Sequence, residues 1–328
     1  MNPVRRAVID VGTNSVKLLV ADVAGKQVHP ILEKSKQTRL GGGFYDEHRL
    51  QTNAIAATAQ TVAAFAEEAR THQAASIRVV ATSAVRDAIN ADDLRHAIER
   101  SSELKVEVIS GEQEADWVFA GVTSDGRFSG RKLLLLDVGG GSTELIIGHD
   151  KHKDFRASFP LGSVRLMEQV PHGDPPKPDE LIACRKWLRH FLQREVQPQL
   201  EGQSFRTGPP GSWLLAPGSS HELQLVGTGG TATILARMEG QMEAFDRERI
   251  EAVPLSLERV RWHTERLWSL PLAERKNIVG LPKNRADIIL TGAAIYEAIM
   301  THFGFAELCI STRGLRYAVV IEGTAPKL

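Results

Sequence analysis

Residues 137–144 read Asp137-Val138-Gly139-Gly140-Gly141-Ser142-Thr143-Glu144, between the apolar runs Leu133-Leu134-Leu135-Leu136 and Leu145-Ile146-Ile147. This pattern predicts a buried strand, a turn with almost no side chains, and a second strand. Glycine lets backbone N–H groups approach a ligand closely, and Ser142 and Thr143 add hydroxyl donors, which suits a phosphate. If the strands pair as a hairpin, Asp137 and Glu144 stand together at its mouth, an arrangement that suits a divalent cation beside the phosphate. An ordinary glycine-rich turn with flanking surface acids is the plainer alternative.

The pattern occurs twice. Asp10-Val11-Gly12-Thr13-Asn14-Ser15-Val16-Lys17 follows Ala7-Val8-Ile9. At a constant offset Asp10 meets Asp137, Gly12 meets Gly139, Ser15 meets Ser142, and the flanking apolar runs coincide. Two copies imply two related domains whose hairpins face each other across a cleft. Lys17 falls opposite Glu144, so the first copy is expected to supply charge to hold phosphate and the second the carboxylate for chemistry.

At 328 residues the chain is long enough for two cores, and its 42% hydrophobic and 24% charged residues are those of a globular protein. With 40 basic and 40 acidic residues there is no global field to draw in nucleic acid or an anionic membrane. A polyanion would have to be held by local charge. Cys184 and Cys309 form no CxxC and are expected to be free thiols in a reducing compartment. The short apolar stretch before Asp10 does not read as a signal peptide, no run has membrane-spanning length, and a cytoplasmic location is expected.

Along the chain, a third strand is expected near residues 28–33, then a turn with Arg39 and Gly41-Gly42-Gly43 that is either a solvated basic loop or an anion-binding lip. Helices are predicted over residues 52–72 and 91–101, and strands over 77–81 and 106–109. Thr82, Ser83 and Arg86 end a strand where α/β sheets bind ligands. Arg86 is read as a phosphate contact, with pairing to Asp87 or Asp92 as the alternative. Ser110-Gly111-Glu112-Gln113-Glu114 starts a helix at the domain junction. Domains are expected over residues 1–125 and 130–312, with a helix at about 313–323 returning to the first. A proline-rich connector is expected at 171–178, helices at 179–199, 257–270, 272–279 and 286–301, and an exposed loop at 202–220. Asp287 reads as a cap or surface charge.

Gly227-Thr228-Gly229-Gly230-Thr231-Ala232, between a strand and a helix, matches one form of the dinucleotide fingerprint. Glu243 and Asp246 do not end a second strand, so a third phosphate or nucleotide contact is the better fit.

With these motifs assembled, the chain resembles the exopolyphosphatase and guanosine pentaphosphate phosphohydrolase (Ppx/GppA) family of the actin-like ATPase superfamily. The resemblance runs through residues 10–15, 39–43, 81–86, 111–115, 137–144, 227–231 and 285–300. It implies an α/β fold of two actin-like (ribonuclease H-like) domains facing across a cleft. It also implies a Mg2+-dependent enzyme removing terminal phosphate from inorganic polyphosphate or from pppGpp. By position, Glu114 takes the place of the catalytic base, Asp137 and Glu144 those of the Mg2+ ligands, and Asp10 shares the metal. Thr13, Asn14, Ser15, Lys17, Arg39, Arg86, Gly139, Gly140, Gly141, Ser142 and Thr143 are expected to hold phosphate, with Gly227, Thr228, Gly229, Gly230 and Thr231. The resemblance further implies a homodimer. Long members carry extra C-terminal helical domains; this chain ends without them, so the short two-domain form is expected. A superfamily kinase, a non-catalytic phosphate-ligand sensor and a dinucleotide oxidoreductase are the competing readings.

Overall fold

The computed structural model describes residues 2–201, 205–207, 213–215 and 223–323. The chain divides into two compact units, Met1–Asp125 with Arg313–Leu328, and Gly126–Thr312.

Period-two alternation sets the first sheet. Along strand β1 (Val4–Val11), Ala7, Ile9 and Val11 enter the core, so Val8 and Asp10 turn to the opposite face. β1 pairs antiparallel with β2 (Ser15–Ala24), which pairs antiparallel with β3 (Gln27–Gln37). Helix α1 (Thr52–Thr71) then crosses to β4 (Ser76–Ala81), parallel to β1. One turn, α2 (Ser83–Arg86), and helix α3 (Ala91–Ser102) lead to β5 (Val106–Val108), parallel to β4. Helix α4 (Gly111–Val122) closes this part, capped by Ser110, whose hydroxyl accepts the Gln113 N–H. The strand order is β3-β2-β1-β4-β5. α1 and α3 fill one face through Val62, Phe65, Ala66, Leu94 and Ile98.

The second unit repeats this order. β6 (Lys132–Val138), β7 (Thr143–His149) and β8 (His152–Phe159) form the antiparallel run. Helices α5 (Ser163–Gln169) and α6 (Pro178–Phe191) follow, then a π-helical turn, Leu192–Val196, and α7 (Gln197–Glu201). β9 (Phe205–Thr207) and β10 (Trp213–Leu215) pair antiparallel. β11 (Gln224–Thr228) lies parallel to β6 and leads into α8 (Gly229–Glu239). After α9 (Arg247–Glu251), β12 (Leu255–Ser256), α10 (Leu257–Ser269), α11 (Leu272–Arg275) and α12 (Ile289–Phe303), β13 (Glu307–Ile310) pairs parallel with β11. The sheet reads β12-β13-β11-β6-β7-β8, so β8-β7-β6-β11-β13 matches β3-β2-β1-β4-β5 strand for strand. This is the actin-like, ribonuclease H-like α/β sheet twice over. The last helix, α13 (Leu315–Glu322), packs on α4 so closely that a Cβ at Gly121 would lie 2.0 Å from the Gly314 carbonyl oxygen.

Three local expectations need correction. The helix expected at 272–279 is a single turn, because the chain reaches Gly280 at φ +86° and then Pro282. The helix expected from 286 begins at Ile289, after a 3-10 turn at Lys283–Arg285. The loop expected at 202–220 lies mostly outside the described residues, and its described parts are the paired strands β9 and β10. No helix among the described residues is long and apolar enough to cross a membrane.

Candidate active site

In the second unit, Asp137 and Glu144 are direct cross-strand partners in the β6–β7 ladder. Directly opposed residues share a sheet face with their Cβ atoms about 5 Å apart. Leu134, Leu136, Val138, Leu145 and Ile147 occupy the core face, so both carboxylates stand on the other. Glu144 is only 1% exposed, and the Ser158 hydroxyl donates to its Oε1 at 2.7 Å. Gly229, at φ +80°, gives Asp137 room, since a Cβ there would lie 2.2 Å from Oδ1. Beneath them the buried Tyr296 hydroxyl lies 3.3 Å from the Leu136 carbonyl and 3.2 Å from that of Thr228, linking the ends of β6 and β11. Burial, and then the Asp137 charge, push the Tyr296 phenol well above its ordinary pKa.

The glycine turn between these acids is fastened from one side. Ser163 N–H donates to the Gly139 carbonyl at 2.9 Å, and Val164 and Arg165 N–H to that of Gly140 at 2.8 and 3.1 Å. The buried Arg165 guanidinium donates through Nε to the Gly141 carbonyl at 2.7 Å. Among the described hydrogen bonds, none uses the N–H of Gly140, Gly141 or Ser142, although Gly141 and Ser142 are buried. Buried amides without any acceptor are rare, so these N–H groups call for a water or a ligand. The Thr143 hydroxyl donates to the Leu161 carbonyl at 2.5 Å, so that proton holds the following segment. Thr231 is committed in the same way, to the Val138 carbonyl at 3.2 Å. Its turn presents backbone at the start of α8, where Arg285 Nη2 lies 3.7 Å from the Cβ position of Gly230.

In the first unit the ladder places Lys17 opposite Asp10, where the second places Glu144 opposite Asp137. The turn is again held through its carbonyls, with Gly41 N–H on Thr13 at 2.7 Å and Thr38 and Arg39 N–H on Asn14, both at 3.1 Å. Arg39 adopts φ +53° there, and its side chain is exposed. Gln37 donates to Asn14 Oδ1 at 3.1 Å, which turns Asn14 Nδ2 the other way. Among the described residues, that nitrogen and the hydroxyls of Ser15, Thr38 and Ser83 are buried without hydrogen-bond partners. Asn14 and Ser15 belong to this turn, Thr38 is bonded to it and Ser83 opens α2 after β4, and such orphaned groups fit an oxyanion or water. Thr38 opens the stretch that reads in sequence as either a solvated basic loop or an anion-binding lip.

Glu114 lies in the first turns of α4 and is 8% exposed. Arg86 donates from Nη1 to Glu114 Oε2 at 3.0 Å and to the Ile109 carbonyl at 3.1 Å. Asp87 is farther, at 3.9 Å from Arg86 Nε. Arg86 therefore holds a buried carboxylate, a pairing its sequence neighbours did not indicate.

Mg2+ takes oxygen ligands and is held by one or two carboxylates together with substrate phosphates. Asp137 and Glu144, paired on one sheet face, fit that requirement. Among the described residues no group of three or more His, Cys, Asp or Glu forms a metal cage.

The match to known proteins covers most of the chain. Residues 19–325 match the model of the Ppx/GppA phosphatase family. The chain is 32% identical over 311 residues to Exopolyphosphatase 2 of Mycobacterium tuberculosis, covering 90% of this chain and 89% of that protein. Among solved structures, it resembles an exopolyphosphatase from Cytophaga hutchinsonii with a TM-score of 0.84 at 25% identity, over 98% of this chain and 99% of that one. It also resembles the Aquifex aeolicus PPX-GPPA enzyme, with a TM-score of 0.75 at 28% identity over the same shares. With its doubled sheet, its two carbonyl-fastened turns and a match over nearly its whole length, this chain belongs to the Ppx/GppA phosphatase family.

Proposed function

We propose that this chain is a Mg2+-dependent exopolyphosphatase that releases terminal orthophosphate from inorganic polyphosphate. The observation that carries this reading is the pairing of Asp137 with Glu144 beside a turn with three amide N–H groups that are uncommitted among the described residues. The named exopolyphosphatases to which the chain is similar support it.

In this reading Glu114 is the general base, taking a proton from the water that attacks the terminal phosphorus, with Arg86 fixing its carboxylate. Asp137 and Glu144, with Asp10, hold Mg2+, which when bound neutralises charge on the phosphate oxygens. The amides of Gly140, Gly141 and Ser142 donate to the phosphoryl group, and Thr13, Asn14, Ser15, Lys17 and Arg39 hold phosphate from the first unit. Gly227, Thr228, Gly229, Gly230 and the Thr231 amide provide a further phosphate contact at the start of α8. Phosphoryl transfer depends chiefly on such positioning and charge neutralisation. A homodimer and a cytoplasmic location belong to the same reading.

Phosphate release with Mg2+ from long polyphosphate, tripolyphosphate, pppGpp and ATP, measured side by side, tests the substrate. Release chiefly from polyphosphate is expected. Release chiefly from pppGpp would replace this reading with a pppGpp 5′-phosphohydrolase. Release from none would leave a kinase or a phosphate-ligand sensor.

A further inference from the structure

We infer that Arg165 is a positioning residue for the phosphate turn, and that it acts by fixing the peptide plane between Gly141 and Ser142. This rests on the exopolyphosphatase reading for the identity of the ligand, but its geometric basis lies within the second unit.

In a trans peptide the C=O and the following N–H point in opposite directions across one plane. The peptides of this turn are trans. A donor that holds the carbonyl of one residue therefore aims the N–H of the next. Ser163 holds Gly139, Val164 and the Arg165 backbone hold Gly140, and Arg165 Nε holds Gly141. The N–H groups of Gly140, Gly141 and Ser142 all leave on the side away from α5.

The first two planes are held by backbone donors that any residue but proline at 163–165 would supply. Among the described residues, the third is held only by a side chain. At 2.7 Å the bond is short, and its donor is charged and 8% exposed, the features of a strong hydrogen bond. A cation on the carbonyl also polarises the peptide and strengthens its N–H as a donor. Gly162 keeps this contact close, since a Cβ there would lie 2.4 Å from both the carbonyl carbon and oxygen of Gly140. Thr291 secures the start of α5 from the opposite direction, donating to the Ser163 carbonyl at 2.7 Å. Arg165 thus acts on the phosphate through Ser142.

Two substitutions separate aim from bulk. Arg165→Gln places an uncharged N–H donor where Nε stood, and Arg165→Met fills the same space with no donor. For polyphosphate hydrolysis by the full chain, Arg165→Met is expected to lower kcat about tenfold or more with KM changed less than about threefold, since the lost contact is to charge in the transition state. Arg165→Gln is expected to restore most of the rate. In amide NMR spectra, the Ser142 resonance should shift on adding tripolyphosphate to the parent protein and to Arg165→Gln, and not to Arg165→Met. Parental kcat in Arg165→Met, or equal impairment in both variants, would overturn the inference. If Arg165→Met fails to fold, Arg165→Gln alone decides: a near-parental kcat supports the assignment and a tenfold loss overturns it. If the parent releases no phosphate, the exopolyphosphatase reading fails, and the Ser142 shifts still decide whether Arg165 aims that amide.

Discussion

Arg86 and Glu114 meet 3.0 Å apart within the first unit, and the same Arg86 nitrogen also donates to the Ile109 carbonyl. One guanidinium group thereby ties the turn after β4 to the end of β5 and to the start of α4. If Glu114 is the base, Arg86 sets the direction of its carboxylate. Arg86→Met should then lower kcat about tenfold to a hundredfold, because misplacing a catalytic group is costly even when it remains present. Steady-state kinetics, with circular dichroism to confirm folding, measures this.

The β6–β7 ladder makes a prediction about metal. Glu144→Gln keeps the shape and the Ser158 bond but removes the charge beside Asp137. The Mg2+ concentration for half-maximal activity should rise at least about tenfold. Ser158→Ala, which removes only a bond that orients Glu144, should raise it by a smaller factor than Glu144→Gln does. A Mg2+ titration of phosphate release compares both with the parent.

Much of this was legible in the sequence, for a physical reason. The two hairpins are encoded locally: apolar runs specify the strands, and the glycines leave only a turn between them. The register that sets Asp137 against Glu144 and Asp10 against Lys17 follows from the equal length of the two turns. What was missed depends on distant contacts. α5 is seven residues long, and its N-cap, Gly162, has no side chain to signal a helix start. Its importance comes from carbonyls more than twenty residues earlier, which no local pattern shows. Thr143 is another case: it reads as a phosphate contact in its motif, and its hydroxyl bond to the Leu161 carbonyl shows only in space. Arg86 likewise sits beside Asp87 in sequence and bonds Glu114 in space.

A pH prediction follows from α8 and α10. Glu239 accepts from Arg259 and contacts His263 Nε2 at 2.7 Å, and His263 is 2% exposed. Burial lowers the His263 pKa from its ordinary 6.5, outweighing the Glu239 bond. For Glu239, burial opposes ionisation but the bonds from Arg259 and His263 win, and its pKa is lowered from 4.5. Each group binds fewer protons folded than unfolded, so each contributes stability that is lost as pH falls. The loss begins below about pH 6.5 through His263 and continues below about 4.5 through Glu239. Tm measured between about pH 8 and 5 should fall less in His263→Gln, which keeps a neutral donor, than in the parent.

The cysteines should differ in reactivity. Cys184 is fully buried, and burial followed by the Glu297 charge pushes its thiol up to about 12. Thiolate is the reactive form, so iodoacetamide at pH 8 should leave Cys184 unmodified in the folded protein and modify it after denaturation. Peptide mass spectrometry reads both states.

The most direct measurement is phosphate release from long-chain polyphosphate by the parent protein and by Glu114→Gln, each with Mg2+ and after chelation, alongside polyphosphate binding by both. The account predicts release by the parent that chelation abolishes, and a loss of about 10²–10⁴-fold in Glu114→Gln with binding retained. Undiminished hydrolysis by Glu114→Gln would contradict the assignment of the base. Release unaffected by chelation would contradict the role given to Asp137 and Glu144.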